Sequence, residues 1–423
     1  MRIFQQLRQK LSFIMGADVL SGDFYKFLRM HLCFTVYTQM HGIFINTFLL
    51  KATGNNVDVM LFNAMLAIAQ PIAMVGAVYL SRRTSPVRSQ RLGLGLYLLV
   101  YGALAIFGEQ AVGYSLLIAA LLASAAGFYY TTYSLQILSY CDDRSRDVAL
   151  GVSGMLAGIA ALLTPVFSGF LISSFPGFTG YRVLFGCALA FTALSGYFSS
   201  RLSPITAYDG QRGNRLGQVV RALLLGKIER GVMLTSAVSG FRDGTMAFFL
   251  NMLLYQFVQS EALVGINSFL GGIAAVISAG LYSRWVKPES RVKSVAIAVS
   301  IIAATALMLF LRLNAYTIIA FNLVSCLCNI FVSNPPCSLY LSIVQRLPSI
   351  RGRGGEVHTI REYFLSTGRI LGIALAMLLP QSNLGYILVI FLLTVSQYAS
   401  AALMRRTRRQ LAALPEEPAE VSC

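Results

Sequence analysis

Apolar positions fill this chain in long blocks, and short polar or basic segments separate them. Twelve windows are mostly apolar: roughly 25–50, 57–80, 92–110, 113–140, 148–173, 180–200, 229–257, 261–283, 294–312, 314–345, 361–380 and 383–404. Each reaches about 18 residues or more, the length a helix needs to cross a hydrocarbon core about 30 Å thick. The pattern predicts an all-α membrane protein with twelve transmembrane helices, and the connections leave no room for a soluble domain.

Outside the windows three segments stand apart. In residues 1–24, Ile3, Phe4, Leu7, Leu11 and Ile14 recur at helical spacing among Arg2, Arg8 and Lys10. Two readings fit: an amphipathic helix lying on the inner membrane surface, or a partly disordered tail. Residues 201–228 open with the turn signal Asp209-Gly-Gln-Arg-Gly-Asn214 and end in Leu216, Val219, Val220, Leu223 and Leu224, interleaved with Arg215, Arg221 and Lys227. They predict a cytoplasmic linker carrying a second interfacial helix. Residues 405–423 form a basic, then acidic, tail.

Polar positions inside the windows are the exceptions that carry information. The seventh window holds Ser239-Gly-Phe-Arg-Asp-Gly-Thr-Met-Ala-Phe-Phe-Leu-Asn251, with Arg242 and Asp243 deep in an apolar run. A charge near the middle of a spanning helix costs roughly 2.5–3.5 kcal/mol on the insertion scale. Ser236, Ser239, Gly240, Asp243, Ala247 and Asn251 share one face. Neighbouring residues on a helix point about 100° apart, so Arg242 and Asp243 are expected to find separate partners. One reading makes Asp243 a carrier of protons or another coupling ion and Arg242 an anchor for an anionic or oxygen-rich substrate. The other makes both members of a structural charge network.

Further candidates follow by the same logic. The first window contains Thr38, Gln39, His41 and Asn46, which should face protein or a water-filled cavity. His31 and His41 are each readable as a proton relay or as a neutral, hydrogen-bonded side chain. The fourth contains Tyr130, Tyr133 and Gln136, and the tenth contains Asn329, Ser333, Asn334 and the pair Pro335-Pro336, which predicts a helix interruption. In the eleventh, Glu362 and Arg369 lie two turns apart on one face, as a gate or as a stabilising network. In the fifth, Gly154, Gly158, Pro165 and Gly169 fit close helix packing. Asp142 and Asp143 read as helix caps. Asp58, Glu109 and Glu261 fall at outer ends, where they are expected to be solvated.

Composition supports the membrane reading and narrows it. Of 423 residues, 56% are hydrophobic and 12% charged, against about 25% charged in ordinary soluble domains. The net charge of +17 lies almost wholly on one side if the spans alternate. Arg82, Arg83, Arg88 and Arg91, Arg284 and Lys287, and Arg405 to Arg409 share that side, while Lys51, Arg182 and Arg312 remain on the other. This asymmetry predicts both termini in the cytoplasm of a cell membrane. It also points to anionic lipid headgroups, not nucleic acid, as the basic surface's partner. The seven cysteines show neither metal-site nor disulfide spacing. No phosphate-cradling loop or catalytic constellation is present, so no enzyme, cofactor or metal is expected. A monomer is expected, driven by an ion gradient or by the substrate's own.

The chain also repeats itself. His41-Gly-Ile-Phe-Ile-Asn-Thr-Phe-Leu-Leu50 aligns with Met246-Ala-Phe-Phe-Leu-Asn-Met-Leu-Leu-Tyr255, matching Asn46 to Asn251. Phe62-Asn63-Ala64 then aligns with Ile266-Asn267-Ser268, and Ser81-Arg82 with Ser283-Arg284. Two six-helix halves follow, 25–200 and 229–404, related by pseudo-symmetry. The match sets Arg242 and Asp243 opposite Tyr37 and Thr38, so the charges belong to one half.

Twelve spans, parallel six-helix halves, a central cytoplasmic loop and basic turns after spans two and eight resemble the major facilitator superfamily. Span one and Arg361-Glu-Tyr-Phe-Leu-Ser-Thr-Gly-Arg369 look most like a poorly characterised bacterial branch, chiefly Gram-positive. The superfamily's turn after span two carries an acid and a second glycine, which Ser81-Arg-Arg-Thr-Ser-Pro-Val-Arg-Ser-Gln-Arg91 lacks. The resemblance implies secondary transport by alternating access. Spans 1, 4, 7 and 10 would line the cavity, spans 2, 5, 8 and 11 the interface, and the others would support from outside. The superfamily's antiporters carry a glycine-rich motif with a Gly-Pro step in the fifth span; here Thr164 replaces that glycine before Pro165 and Ser168 another, and what remains of the motif leans toward export. Proton-coupled export of a small amphipathic or hydroxylated solute is the leading expectation. Flipping of a lipid or glycolipid, and a non-transporting membrane sensor or scaffold, are the alternatives.

Overall fold

A computed structural model describes residues 21–140, 146–203, 205, 216–347, 349–350 and 354–413. The N-terminal amphipathic segment, the Asp142-Asp143 cap, the Asp209–Asn214 turn and the end of the tail lie outside the described residues.

The described residues form helices and turns, with no strand among them. In chain order the helices are α1 (Gly22–Thr53), α2 (Asn56–Arg83), α3 (Pro86–Phe107), α4 (Ser115–Tyr140), α5 (Arg146–Ser173) and α6 (Thr179–Ser200). The short α7 (Leu216–Leu225) precedes α8 (Lys227–Val258), α9 (Glu261–Trp285), α10 (Arg291–Leu311), α11 (Ala315–Arg346), α12 (Gly354–Leu378), α13 (Asn383–Val395) and α14 (Gln397–Ala412). Among the described residues eight segments are long and apolar enough to cross a membrane, and one of them, Pro86–Tyr133, takes in both α3 and α4. Another, Asn383–Ala412, takes in α13 and α14, so the twelfth span is one segment bent at Ser396. The long helices that do not qualify are α1, α8 and α12. They carry the intramembrane charges and histidines, which lower their mean hydropathy and bring the total to the twelve expected spans.

Local chemistry explains where the helices begin and end. Ser21, Asn55, Ser85 and Ser382 each accept a backbone N–H of the first turn, at Phe24, Val57, Arg88 and Gly385, capping α1, α2, α3 and α13. Pro86 follows its cap directly, where a missing N–H costs nothing. α1 closes on Gly54 at φ 67°, the left-handed conformation that glycine adopts most readily. α11 runs unbroken through Pro335 and Pro336, correcting the expected interruption. Both prolines are buried, and surrounding helices can hold a membrane helix together where proline removes a backbone donor.

The chain divides into two compact units. One is built from the described parts of Met1–Gly213 with Ala247–Ile273 and Asn314–Ile319; the other takes Asn214–Met246, Ala274–Leu313 and Ala320–Cys423. In the first, α2 packs on α4, α1 on α5 and α6, and α3 on α4 and α6. In the second, α10 packs on α13 and α14, which repeats the α3–α6 pairing one half later. The expected linker helix exists as α7 and docks on α12, burying Val219 and Leu223 one turn apart. Leu224, expected on the same apolar face, is instead exposed.

Small residues set the closest approaches. In the second unit a Cβ on Gly368 of α12 would run into the Ala237 carbonyl of α8. In the first, a Cβ on Gly265 of α9 would meet the Pro165 carbonyl of α5 and one on Gly169 the Glu261 carbonyl of α9, so the end of the fifth span serves close packing; at Gly154 and Gly158, expected to do the same, a Cβ would meet nothing within 4 Å. Gly368→Ala should therefore lower stability in detergent by about 1–3 kcal/mol, the cost of overpacking. Gly95→Ala, where a Cβ meets nothing within 4 Å, should leave it unchanged or slightly raised; thermal unfolding of both variants checks the pair.

Candidate functional site

Arg242 lies in the middle of α8, buried to 3% side-chain exposure, whereas the Asp243 side chain beside it is 40% exposed. The two are bonded directly, Arg242 Nη1 donating to Asp243 Oδ1 at 2.8 Å, and this corrects the expectation of separate partners. The Cβ directions of the two residues diverge, but the long arginine stem brings the guanidinium to its neighbour's carboxylate. Nη1 also donates to Asn329 Oδ1 at 3.0 Å and Nη2 to Ser325 Oγ at 3.1 Å, both on α11. A planar fork of five donors suits such divergent acceptors. Nε is buried without a partner among the described residues.

The geometry has a direct chemical reading. One carboxylate and two neutral oxygens hold the cation, and only the carboxylate can change charge. That carboxylate is the exposed member. Protonation or cation binding at Asp243 would remove Arg242's counter-charge while leaving its neutral anchors on α11.

The second unit holds the other predicted pair as well. Arg369 Nη1 donates to Glu362 Oε2 at 3.4 Å along the face of α12. The Arg369 stem lies where a Cβ on Gly244 would go, so it passes one residue from Asp243. Arg361 donates to Ser236 Oγ at 3.3 Å and lies 4.6 Å over the Tyr340 ring. Asn334 is exposed on α11.

The first unit takes up its candidates in a different way. His41 Nδ1 is 2.6 Å from the Tyr101 hydroxyl and 3.2 Å from the Tyr37 carbonyl. His31 Nδ1 is 2.9 Å from the Tyr129 hydroxyl, with the Phe34 and Phe27 rings stacked near it. Both histidines are thus hydrogen-bonded within an aromatic cluster of α1, α3 and α4. Tyr133 lies 4.6 Å from His31, centroid to centroid, and Tyr130 is exposed edge-on to Phe34. Gln136 forms a closed amide pair with Gln90, each donating to the other at 2.8 and 2.6 Å, fully buried. Thr38 donates to carbonyls of its own helix, and Gln39 is half-buried.

The repeat survives at the level of side chains. Asn63 Nδ2 donates to Asn46 Oδ1 at 2.7 Å, and Asn267 Nδ2 donates to Asn251 Oδ1 at 3.4 Å. The four asparagines that the sequence matched form the same bond twice, between α1 and α2 and between α8 and α9.

Three participants escaped the sequence reading. Ser325 and Tyr101 look like ordinary core residues by sequence, and only packing brings them to Arg242 and His41. Glu261, expected to be solvated, is buried to 8% and accepts from Lys51 Nζ at 2.9 Å, Tyr181 at 3.0 Å and Tyr255 at 3.2 Å. Lys51 could have signalled it, as an unlike charge at the matching end of the neighbouring spans.

The sequence model of the Major Facilitator Superfamily matches residues 27–357. The chain belongs to this superfamily. A Bacillus subtilis (strain 168) relative, the uncharacterized protein YqgE, is 24% identical over 339 residues, covering 79% of this chain and 77% of that protein. Among solved structures, a POT family transporter, PepTSo, superimposes with a TM-score of 0.75 at 10% identity, over 93% of this chain and 99% of that one. A D-xylose–proton symporter superimposes with a TM-score of 0.70 at 11% identity, over 90% and 96%. At such identities the structural likeness establishes the fold. Superfamily and fold support a secondary transporter in a membrane, handling a small-molecule substrate.

The repeated asparagine bond is open to a double-mutant cycle. Asn46→Leu and Asn63→Leu should each destabilise the protein by about 0.5–1.5 kcal/mol, because each removes the hydrogen bond that joins α1 to α2. The double variant should lose clearly less than the sum of the two, with a coupling of about 0.5–3 kcal/mol. Additive losses in thermal unfolding would show that the bond contributes nothing of its own.

Proposed function

We propose that the protein is a proton-coupled exporter of a small amphipathic or hydroxylated solute, working by alternating access in the cell membrane with both termini in the cytoplasm. The observation that carries this reading is the unequal burial of one ion pair: Arg242 is 3% exposed and Asp243 40% exposed. An ion pair serving stability alone gains nothing from leaving its carboxylate open, whereas a carrier must be reachable by the ion it takes up. Asp243 is the carrier and Arg242 the anchor for an oxygen-rich or anionic group of the substrate. Asn329, already bonded to Arg242, transmits occupancy of that anchor to α11. Thr38, Gln39, His41, Asn46, Asn251, Tyr130, Tyr133, Gln136 and Asn334 are the remaining substrate-side candidates. Glu362 and Arg369 are the gate, and Pro165 lies in the helix that packs against α9. The proton is the first coupling ion to test, since the D-xylose–proton symporter of the same fold is named for it. Anionic lipids at the basic inner surface and a monomeric state complete the proposal.

In proteoliposomes, Asp243→Asn should abolish gradient-driven uphill transport while leaving substrate exchange measurable. Undiminished uphill transport would remove Asp243 from the mechanism. Scrambling of a labelled lipid without a proton gradient would instead make the protein a flippase. Arg242→Ala should weaken binding of an anionic substrate by about 1.5–3 kcal/mol, the worth of hydrogen bonds to a charged group; unchanged affinity would make Arg242 structural.

A further inference from the structure

The hairpins α1–α2 and α8–α9 correspond beyond the matched asparagines. At the constant offset that joins Asn46 to Asn251, Lys51 falls on Gln256, Gly54 on Gln259 and Asn56 on Glu261. The backbone follows. Gly54 and Gln259 both take positive φ, 67° and 51°, and Gln259 is the single non-glycine to do so among the described residues. Each donates its N–H back to the residue four before it, Leu50 at 2.8 Å and Tyr255 at 2.7 Å. A left-handed glutamine is an uncommon expense, and its presence shows that both hairpins need the same turn.

Across these turns the contacts exchange partners. Lys51, ending α1, donates to Glu261, starting α9, at 2.9 Å. Gln256, ending α8, accepts from Asn56, starting α2, at 3.2 Å. Position i of the first hairpin therefore meets position j of the second, and position i of the second meets position j of the first. Such reciprocity is the signature of a two-fold contact, ordinarily seen between identical subunits. Here a duplicated chain makes it with itself.

The two contacts are chemically unequal. The amide contact is neutral. The ionic one is reinforced, because Glu261 also accepts from Tyr181 and Tyr255, and Lys51 Nζ lies 5.4 and 5.8 Å over the Tyr181 and Phe178 rings. The Tyr181 hydroxyl also lies 3.2 Å from Thr47 Oγ1, tying the cluster to α1 and α6.

We infer that Lys51–Glu261 and Asn56–Gln256 form one reciprocal latch, which holds the α1–α2 and α8–α9 turns together and must break when the two hairpins separate in a transport cycle. The latch rests on the transporter reading above, but its test does not. Spin labels at Ala52→Cys and Phe257→Cys, in a background without the native cysteines, report the separation of the two turns without substrate or gradient. The unsubstituted latch should give one short-distance population. Lys51→Ala and Glu261→Gln should each raise the long-distance population about tenfold, the ratio that about 1.4 kcal/mol produces. Their double variant should raise it no further, because the second change removes a bond already lost. Asn56→Ala should give a smaller rise, and a larger one when added to Lys51→Ala. A distribution indifferent to Lys51→Ala and Glu261→Gln in monodisperse protein overturns the latch, and so does an additive double variant. Either result leaves the Asp243 experiment to judge the transporter reading by itself.

Discussion

A guanidinium cannot be left without acceptors in an apolar helix bundle, and the second unit is arranged around meeting that demand for Arg242. Its stem is buried, so the acceptors must come from protein. Asp243 supplies charge, and Asn329 and Ser325 supply neutral oxygens from a second helix. Removing one partner of a buried charge pair is far more disruptive than the pair is stabilising. The registry of α8 on α11 is thereby constrained by two hydrogen bonds at a place where apolar packing alone would tolerate sliding. Close packing constrains the other side of α8, where Gly368 lets α12 approach backbone to backbone.

Within the first unit, the cluster of α1, α3 and α4 solves the same problem with neutral groups. Histidines, tyrosines and amides pair locally there: His41 with Tyr101, His31 with Tyr129, and Gln136 with Gln90. Neutral pairs of this kind satisfy their donors at lower desolvation cost than ions. The repeat positions of Arg242 and Asp243 hold Tyr37 and Thr38, and Thr38 donates to carbonyls of its own helix. An ancestral symmetry is thus retained in scaffold positions and lost where the chemistry differs. The paired asparagines and the matching left-handed turns are the retained part.

Two of the ionic contacts have different surroundings. Arg242–Asp243 is half open, whereas Lys51–Glu261 is wrapped by tyrosines and lies at helix ends. A carboxylate that accepts three donors is stabilised as an anion by each of them. The two sites therefore respond differently to the same change: the first can exchange partners, and the second is a closed cluster.

The sequence by itself determined the fold class, the twelve spans and the duplication. These depend on hydrophobic length and internal similarity, both of which are written along the chain. It also singled out Arg242, Asp243, Glu362 and Arg369, because charge in an apolar run is costly wherever the run folds. Only the tertiary structure decided the partners. The arginine stem's reach defeated an argument from helix angles, Ser325 carried no signal distinguishing it from core serines, and Glu261 looked solvated because its distance from Lys51 in sequence hid their contact. Pairing depends on which helix faces which, and in a bundle of similar apolar surfaces that choice is made by packing.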